Sequence, residues 1–125
     1  MERGTAYHGA GADVLFIESP ESEEEMRRTC ERFRGVVPLL SNQIEGGRTP
    51  MPGVGKLEEM GYAMAIFSLG VGFAAAKGMK DFLETLAAKG DTSAMAEDMV
   101  AFEDFNRLVG LDKHAELERH YERSG

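Results

Sequence analysis

The chain has 125 residues, with 14 basic against 22 acidic side chains and a formal net charge of −8. At 42% hydrophobic and 29% charged it reads as a globular domain rather than a disordered tail, with length for one ordinary core and not for two. That charge, with no basic cluster, argues against nucleic acid and anionic membrane as partners, and no apolar run approaches the ~18–20 residues that span a bilayer.

The opening residues Met1 to Thr5 lack the apolar stretch of a signal peptide, and Cys30 is the sole cysteine. A reducing cytoplasmic compartment is therefore expected, with no disulfide framework. Three nearly continuous apolar runs follow: Asp13 to Glu18, Val36 to Ser41 and Ala63 to Ser68. Such runs are expected of strands buried on both faces of a parallel sheet, although Pro38 must sit near the start of its strand. Between the first two, Ser22 and Glu25 have capping-box spacing, and Met26, Cys30 and Phe33 fall on one face of the helix that follows. A shorter helix around Lys56 to Met60 stops at Gly61. A third runs from about Val71 to Lys89, with Met79, Phe82, Leu83 and Leu86 as its stripe and Gly90 as its stop.

Past Gly90 the strand pattern ceases. Ser93 to Val109 is expected as one helix with Met95, Met99, Phe102 and Phe105 facing inward, ended by Gly110. Asp112 then caps a charged helix ending near Arg123. The order is β-α-β-α-β-α-α-α, an α/β class with one partial barrel domain over 1–125 and a helical tail over 93–123. A free-standing three-stranded parallel sheet leaves two open edges, and a closed (β/α)₈ barrel needs ~250 residues. The expectation is therefore the last three βα units of a larger TIM-type barrel, followed by two C-terminal helices.

In parallel βα arrays, reactive groups gather where the strands end. Glu18 ends the first predicted strand, Ser41 and Asn42 the second, and Ser68 the third. Glu18 has no packing reason to finish an apolar strand, though it could instead cap a helix or pair with a cation. The loop from Asn42 to Pro50 is the densest polar stretch: Gly46 and Gly47 permit close backbone approach, Arg48 offers a fork for carboxylate or phosphate, and Glu45 could hold a metal-bound water or orient Arg48. The same composition also suits an ordinary surface loop. Gly70, Gly72 and Ala75 match a dinucleotide fingerprint locally, but no second strand with a terminal acidic residue follows. What survives is a helix start whose amides could take an anion. The three histidines and single cysteine have no zinc-ligand spacing, and Cys30 reads as a buried structural thiol.

Ala10 to Pro20, with its Glu-ended strand, followed by Pro38 to Pro50, resembles the isocitrate lyase/phosphoenolpyruvate mutase superfamily. Gly61-Tyr62, Ala74 to Met79 and Phe102 to Leu111 are similar to it too. The likeness covers essentially the whole chain, but only the final part of that family's barrel. It implies a Mg²⁺-dependent lyase or mutase acting on the C–C or P–C bond of a small 2-hydroxy or 2-oxo acid or phosphonate, in a homo-oligomer held through its C-terminal helices. By position it implies substrate binding at Glu18 and Asn42, with Gln43 and Ile44 adjoining, and Glu45 and Arg48 join them as candidate substrate-binding residues from the composition of the loop. No catalytic residue and no Mg²⁺ ligand is implied within these residues. Phe73 and Phe102 stand where methylisocitrate lyases carry arginines, which points to a smaller acid or a phosphonate. Three readings follow: an incomplete lyase or mutase that is inactive as this chain alone, a non-catalytic fragment or oligomerisation module, and a small anion-binding domain using Arg48 and the Gly70–Gly72 turn.

Overall fold

The computed structural model describes residues 1–122. They resolve into two compact units, Met1–Ala76 and a second from Lys77 onward. The first unit opens with a helix α1 (Glu2–Gly9), which sequence reading does not anticipate. Its only buried residue is Gly4, so hydropathy carries no trace of the packing. A methyl on Gly4 would come within 2.9 Å of Phe33 Cζ and 3.3 Å of Ile17 Cδ1, so the helix lies close on the core because this residue has no side chain.

The predicted alternation of strands and helices follows, with shorter strands. They are β1 (Leu15–Phe16), β2 (Leu39–Asn42) and β3 (Met64–Ile66), all parallel in the order β1-β2-β3. Pro38 immediately precedes β2, and its carbonyl accepts from Leu15 N at 2.9 Å, so its missing donor costs the ladder nothing. Helix α2 (Glu23–Phe33) starts as its capping residues demand, Glu25 N donating to Ser22 Oγ at 3.1 Å. The return bond goes to Glu21 N rather than to Ser22 N. Helix α3 (Val54–Met60) ends on Gly61, whose φ of 113° is open to glycine and whose N–H meets the Leu57 and Glu58 carbonyls.

The core lies between the sheet and helices α2 and α3. Met26, Cys30 and Phe33 from α2 meet Leu57 and Met60 from α3, with Leu15, Val37, Leu39 and Tyr62. Burial on both faces of the sheet, expected from the apolar runs, is not found. Leu15, Leu39 and Ser41 are buried, whereas Phe16, Met64 and Ile66 are exposed. The register pairs Phe16 with Leu40 and Leu40 with Met64, then Asn42 with Ile66, so these residues share the opposite, open face.

Helix α4 (Gly70–Lys89) runs from the first unit into the second. The single helix expected over 93–109 is instead a 3₁₀ helix (Ser93–Asp98) and a separate helix α5 (Phe102–Leu108). Met99 is extended, with φ −106° and ψ 159°, and Ala101 caps α5 in extended backbone. Glu103 and Asp104 in the first turn mark that fresh start, since acidic groups favour the positive end of a helix. Asp91 accepts from both Ser93 N and Ser93 Oγ, and these bonds hold its carboxyl below the usual carboxylate value. Helix α6 (Leu111–Glu122) follows, with Asp112 inside its first turn rather than at its cap. Its predicted end at Arg123 lies outside the described residues. The inward faces expected of Met79, Leu83, Met99, Phe102 and Phe105 are not buried. No described residue from 77 on is buried.

Candidate functional site

Because all three strands are parallel, the segments following β1, β2 and β3 lie along the same edge of the sheet. Glu18 follows β1 by two residues and is exposed. Its Oε1 accepts from Ser19 Oγ at 2.9 Å, and Ser19 sits in left-handed backbone with φ 51°. Asn42, the last residue of β2, is half-buried on the open face, and its Oδ1 accepts from Ser68 Oγ at 2.8 Å. The next residue turns the other way. Gln43 is 1% exposed, its N–H donates to Ile66 O at 2.8 Å, and its Nε2 donates to Ser41 Oγ at 2.8 Å and Asn42 O at 3.4 Å. Its backbone N–H thus ties the end of β2 to β3 while its carboxamide bonds back onto β2, with every buried side-chain polar atom among the described residues satisfied.

Ile44 is half-buried, and its carbonyl accepts from Gly47 N at 2.9 Å, closing a tight turn through Gly46 at φ 72°. A methyl on Gly47 would fall 3.0 Å from Ile44 O. The paired glycines are therefore required by this turn, whatever approaches the loop from outside. Glu45 reaches across to the start of α4, where a methyl on Gly70 would lie 2.6 Å from Glu45 Oε1 and 2.9 Å from Oε2. The sequence suggests that the amides of this helix start could take an anion, and the Glu45 carboxylate of the chain itself lies close to Gly70 there. Arg48 is exposed, with no ion pair or hydrogen bond to the described residues.

The fold therefore joins Asn42 to Ser68 and Glu45 to Gly70, and leaves Glu18 and Arg48 reaching into solvent. Ser68 carries no sequence signal beyond its place at a strand's end; its bond to Asn42 depends on the β2–β3 register. Among the described residues no three His, Cys, Asp or Glu side chains gather into a coordination shell. The residues present do not fit Mg²⁺, and no chemical step is assigned through it.

No protein-family model matches the chain. It is 44% identical over 121 residues to the 2,3-dimethylmalate lyase of Eubacterium barkeri, an alignment covering 97% of this chain and 41% of that enzyme. It superposes on a crystal structure of 2,3-dimethylmalate lyase, described as a PEP mutase/isocitrate lyase superfamily member, with TM-score 0.83 and 30% identity over 96% of this chain and 39% of that one. The chain belongs to that superfamily. A chloroplastic carboxyvinyl-carboxyphosphonate phosphorylmutase of Arabidopsis thaliana is 37% identical, over 97% of this chain and 35% of its own. Oxaloacetate acetylhydrolase in complex with its product oxalate superposes with TM-score 0.84 and 26% identity, over 97% of this chain and 41% of that one. The chain thus spans well under half the length of each of these relatives. Among the described residues no helix is long and apolar enough to cross a membrane.

Proposed function

We propose that this superfamily chain is the C-terminal portion of a (β/α)₈ barrel, a single partial domain, and forms part of the substrate wall of a lyase or mutase. The reaction is cleavage or rearrangement at the C–C or P–C bond of a small 2-hydroxy or 2-oxo acid or phosphonate. The observation that carries this is the shared edge at which three parallel strands deliver Glu18, Asn42 and the 42–48 loop. In this reading the Asn42 amide hydrogens take a substrate carboxylate and Arg48 adds the positive charge that a chain of net charge −8 needs to hold an anion. Glu18 approaches from the β1 side, Gln43 and Ile44 set the backbone, and Glu45 fixes the loop against α4.

Mg²⁺, which supplies charge stabilisation to developing enolates, has its ligands elsewhere in this reading, so the 125-residue chain alone is inactive. Phe73 and Phe102 in place of arginines favour a smaller substrate than methylisocitrate. A cytoplasmic setting without nucleic-acid or membrane partners suits the lone Cys30 and the acidic balance. Titration with oxalate tests the site: Arg48→Ala is expected to weaken binding at least tenfold, and unchanged affinity refutes the reading. Mg²⁺-dependent cleavage of 2,3-dimethylmalate by the purified chain would refute its inactivity.

A second reading, a non-catalytic fragment acting as an oligomerisation module, is favoured by the apolar side chains of the second unit. Met79, Leu83, Phe102 and Phe105 are each at least half exposed, and large apolar side chains left open in this number favour a covering partner. Homo-oligomerisation through the C-terminal helices covers them. A compact monomer in sedimentation that binds no hydrophobic dye refutes this.

A further inference from the structure

Asn42 is a two-faced group: its carboxamide presents an acceptor on one side and two donor hydrogens on the other. Which side faces a ligand decides the ligand's chemistry. Ser68 Oγ donates to Asn42 Oδ1 at 2.8 Å, which engages one of that oxygen's two lone pairs and turns it toward β3. Asn42 Nδ2 meets no partner among the described residues. Nothing on Asn42's own strand could do this, because Ser41 and Gln43 point to the buried face and bond each other. Ser68 reaches Asn42 because β2 pairs with β3 in a register that sets Asn42 opposite Ile66, two residues before Ser68.

The surrounding charge agrees with this orientation. Glu45 lies against Gly70, two residues beyond Ser68, and Glu18 follows the neighbouring strand β1. An outward Oδ1 would meet a carboxylate-rich edge, whereas outward amide hydrogens are favoured there. We propose that Ser68 is a positioning residue that holds the Asn42 carboxamide with its amide hydrogens outward, so that this edge favours acceptor ligands such as a carboxylate. The inference rests on the anion site proposed above and adds the polarity of its central contact.

The test uses the full chain, ¹⁵N-labelled, with the Asn42 side-chain amide pair identified by its disappearance in Asn42→Asp. Ser68→Ala and Ser68→Thr are compared, and Ser68 is exposed, so both variants are expected to keep the wild-type backbone spectrum. In the absence of ligand, Ser68→Ala is expected to move the Asn42 amide pair and Ser68→Thr to restore it. With oxalate as the probe, Ser68→Ala weakens binding about fivefold, the net worth of one hydrogen bond, and Ser68→Thr stays within about twofold of wild type. Preference for oxalate over oxamate, which carries an amide donor, falls in Ser68→Ala only. An Asn42 amide pair unmoved in Ser68→Ala, or oxalate preference equal in all three proteins, overturns the role of Ser68. Failure of oxalate to shift any resonance in the wild type overturns the anion site itself, and with it the ligand class, while the ligand-free spectra still decide whether Ser68 orients Asn42.

Discussion

The Tyr62 hydroxyl offers a direct test of how the core of the first unit is built. Tyr62 is 8% exposed and packs in the same core cluster as Cys30, itself 2% exposed on α2. Burial first, then the neighbouring Cys30, raises the phenol from 10.0 to about 12. Burial likewise raises the Cys30 thiol, against a smaller lowering by Arg34. From pH 10 upward the unfolded chain releases a phenolic proton that the folded chain keeps, so stability falls as pH rises. The contribution is fully present below pH 10 and is lost through pH 12. Two units correspond to ~2.7 kcal/mol at most, and about 2 kcal/mol after allowing for solvent at the rim of this site.

Tyr62→Phe removes the hydroxyl and with it the titration. Below pH 9 the variant is expected to stay within about 1 kcal/mol of the wild type, since only a hydroxyl is removed. As pH rises from 10 to about 12 the wild type loses stability relative to the variant, which has no phenol to titrate. The assay is a urea midpoint at each pH, with the wild-type minus variant absorbance following the tyrosinate band directly. Parallel stability curves from pH 8 to 12, or a Tyr62 phenol that ionises near 10, would refute the reasoning.

Other substitutions probe the packing that the sequence hides or exaggerates. Gly4→Ala forces a methyl to within 2.9 Å of Phe33 Cζ and should cost about 1–3 kcal/mol, whereas Gly9→Ala, with nothing within 4 Å, should change urea stability by less than ~0.5 kcal/mol. Phe33→Ala empties a site only 1% exposed and should cost about 3–5 kcal/mol by the same measurement. Phe102→Ala, at a position 80% exposed, should leave the monomer within ~0.5 kcal/mol of wild type and instead weaken self-association in sedimentation. A large loss of monomer stability in Phe102→Ala would show that this ring is packed within one chain.

The parts legible from residues alone are those governed by neighbours in sequence. Ser22 and Glu25 start α2, Gly61 stops α3, and Met26, Cys30 and Phe33 share a face, because capping and helical periodicity act over a few residues. Helix α1 is invisible because its buried residue is a glycine. The break at Met99 is hidden by an apolar spacing that continues through it. Continuous apolar runs at β1 and β3 suggest two covered faces, yet Phe16, Met64 and Ile66 remain exposed. Hydropathy reports that a side chain is apolar and says nothing about whether anything covers it.

The candidate site divides along the same line. The polar density of 42–48, the acidic end of the β1 run and the resemblance to the superfamily are properties of the residue order, and they suffice to place the candidate groups at strand ends. Which groups act together is a matter of register and pairing across 26 residues of chain, from Asn42 to Ser68. The tertiary structure turns Gln43 inward and Asn42 outward, lays Glu45 on the start of α4, and engages the acceptor of Asn42 while leaving its amide hydrogens free. Side chains alternate across a strand, so these opposite fates of adjacent residues depend on which face the helices cover.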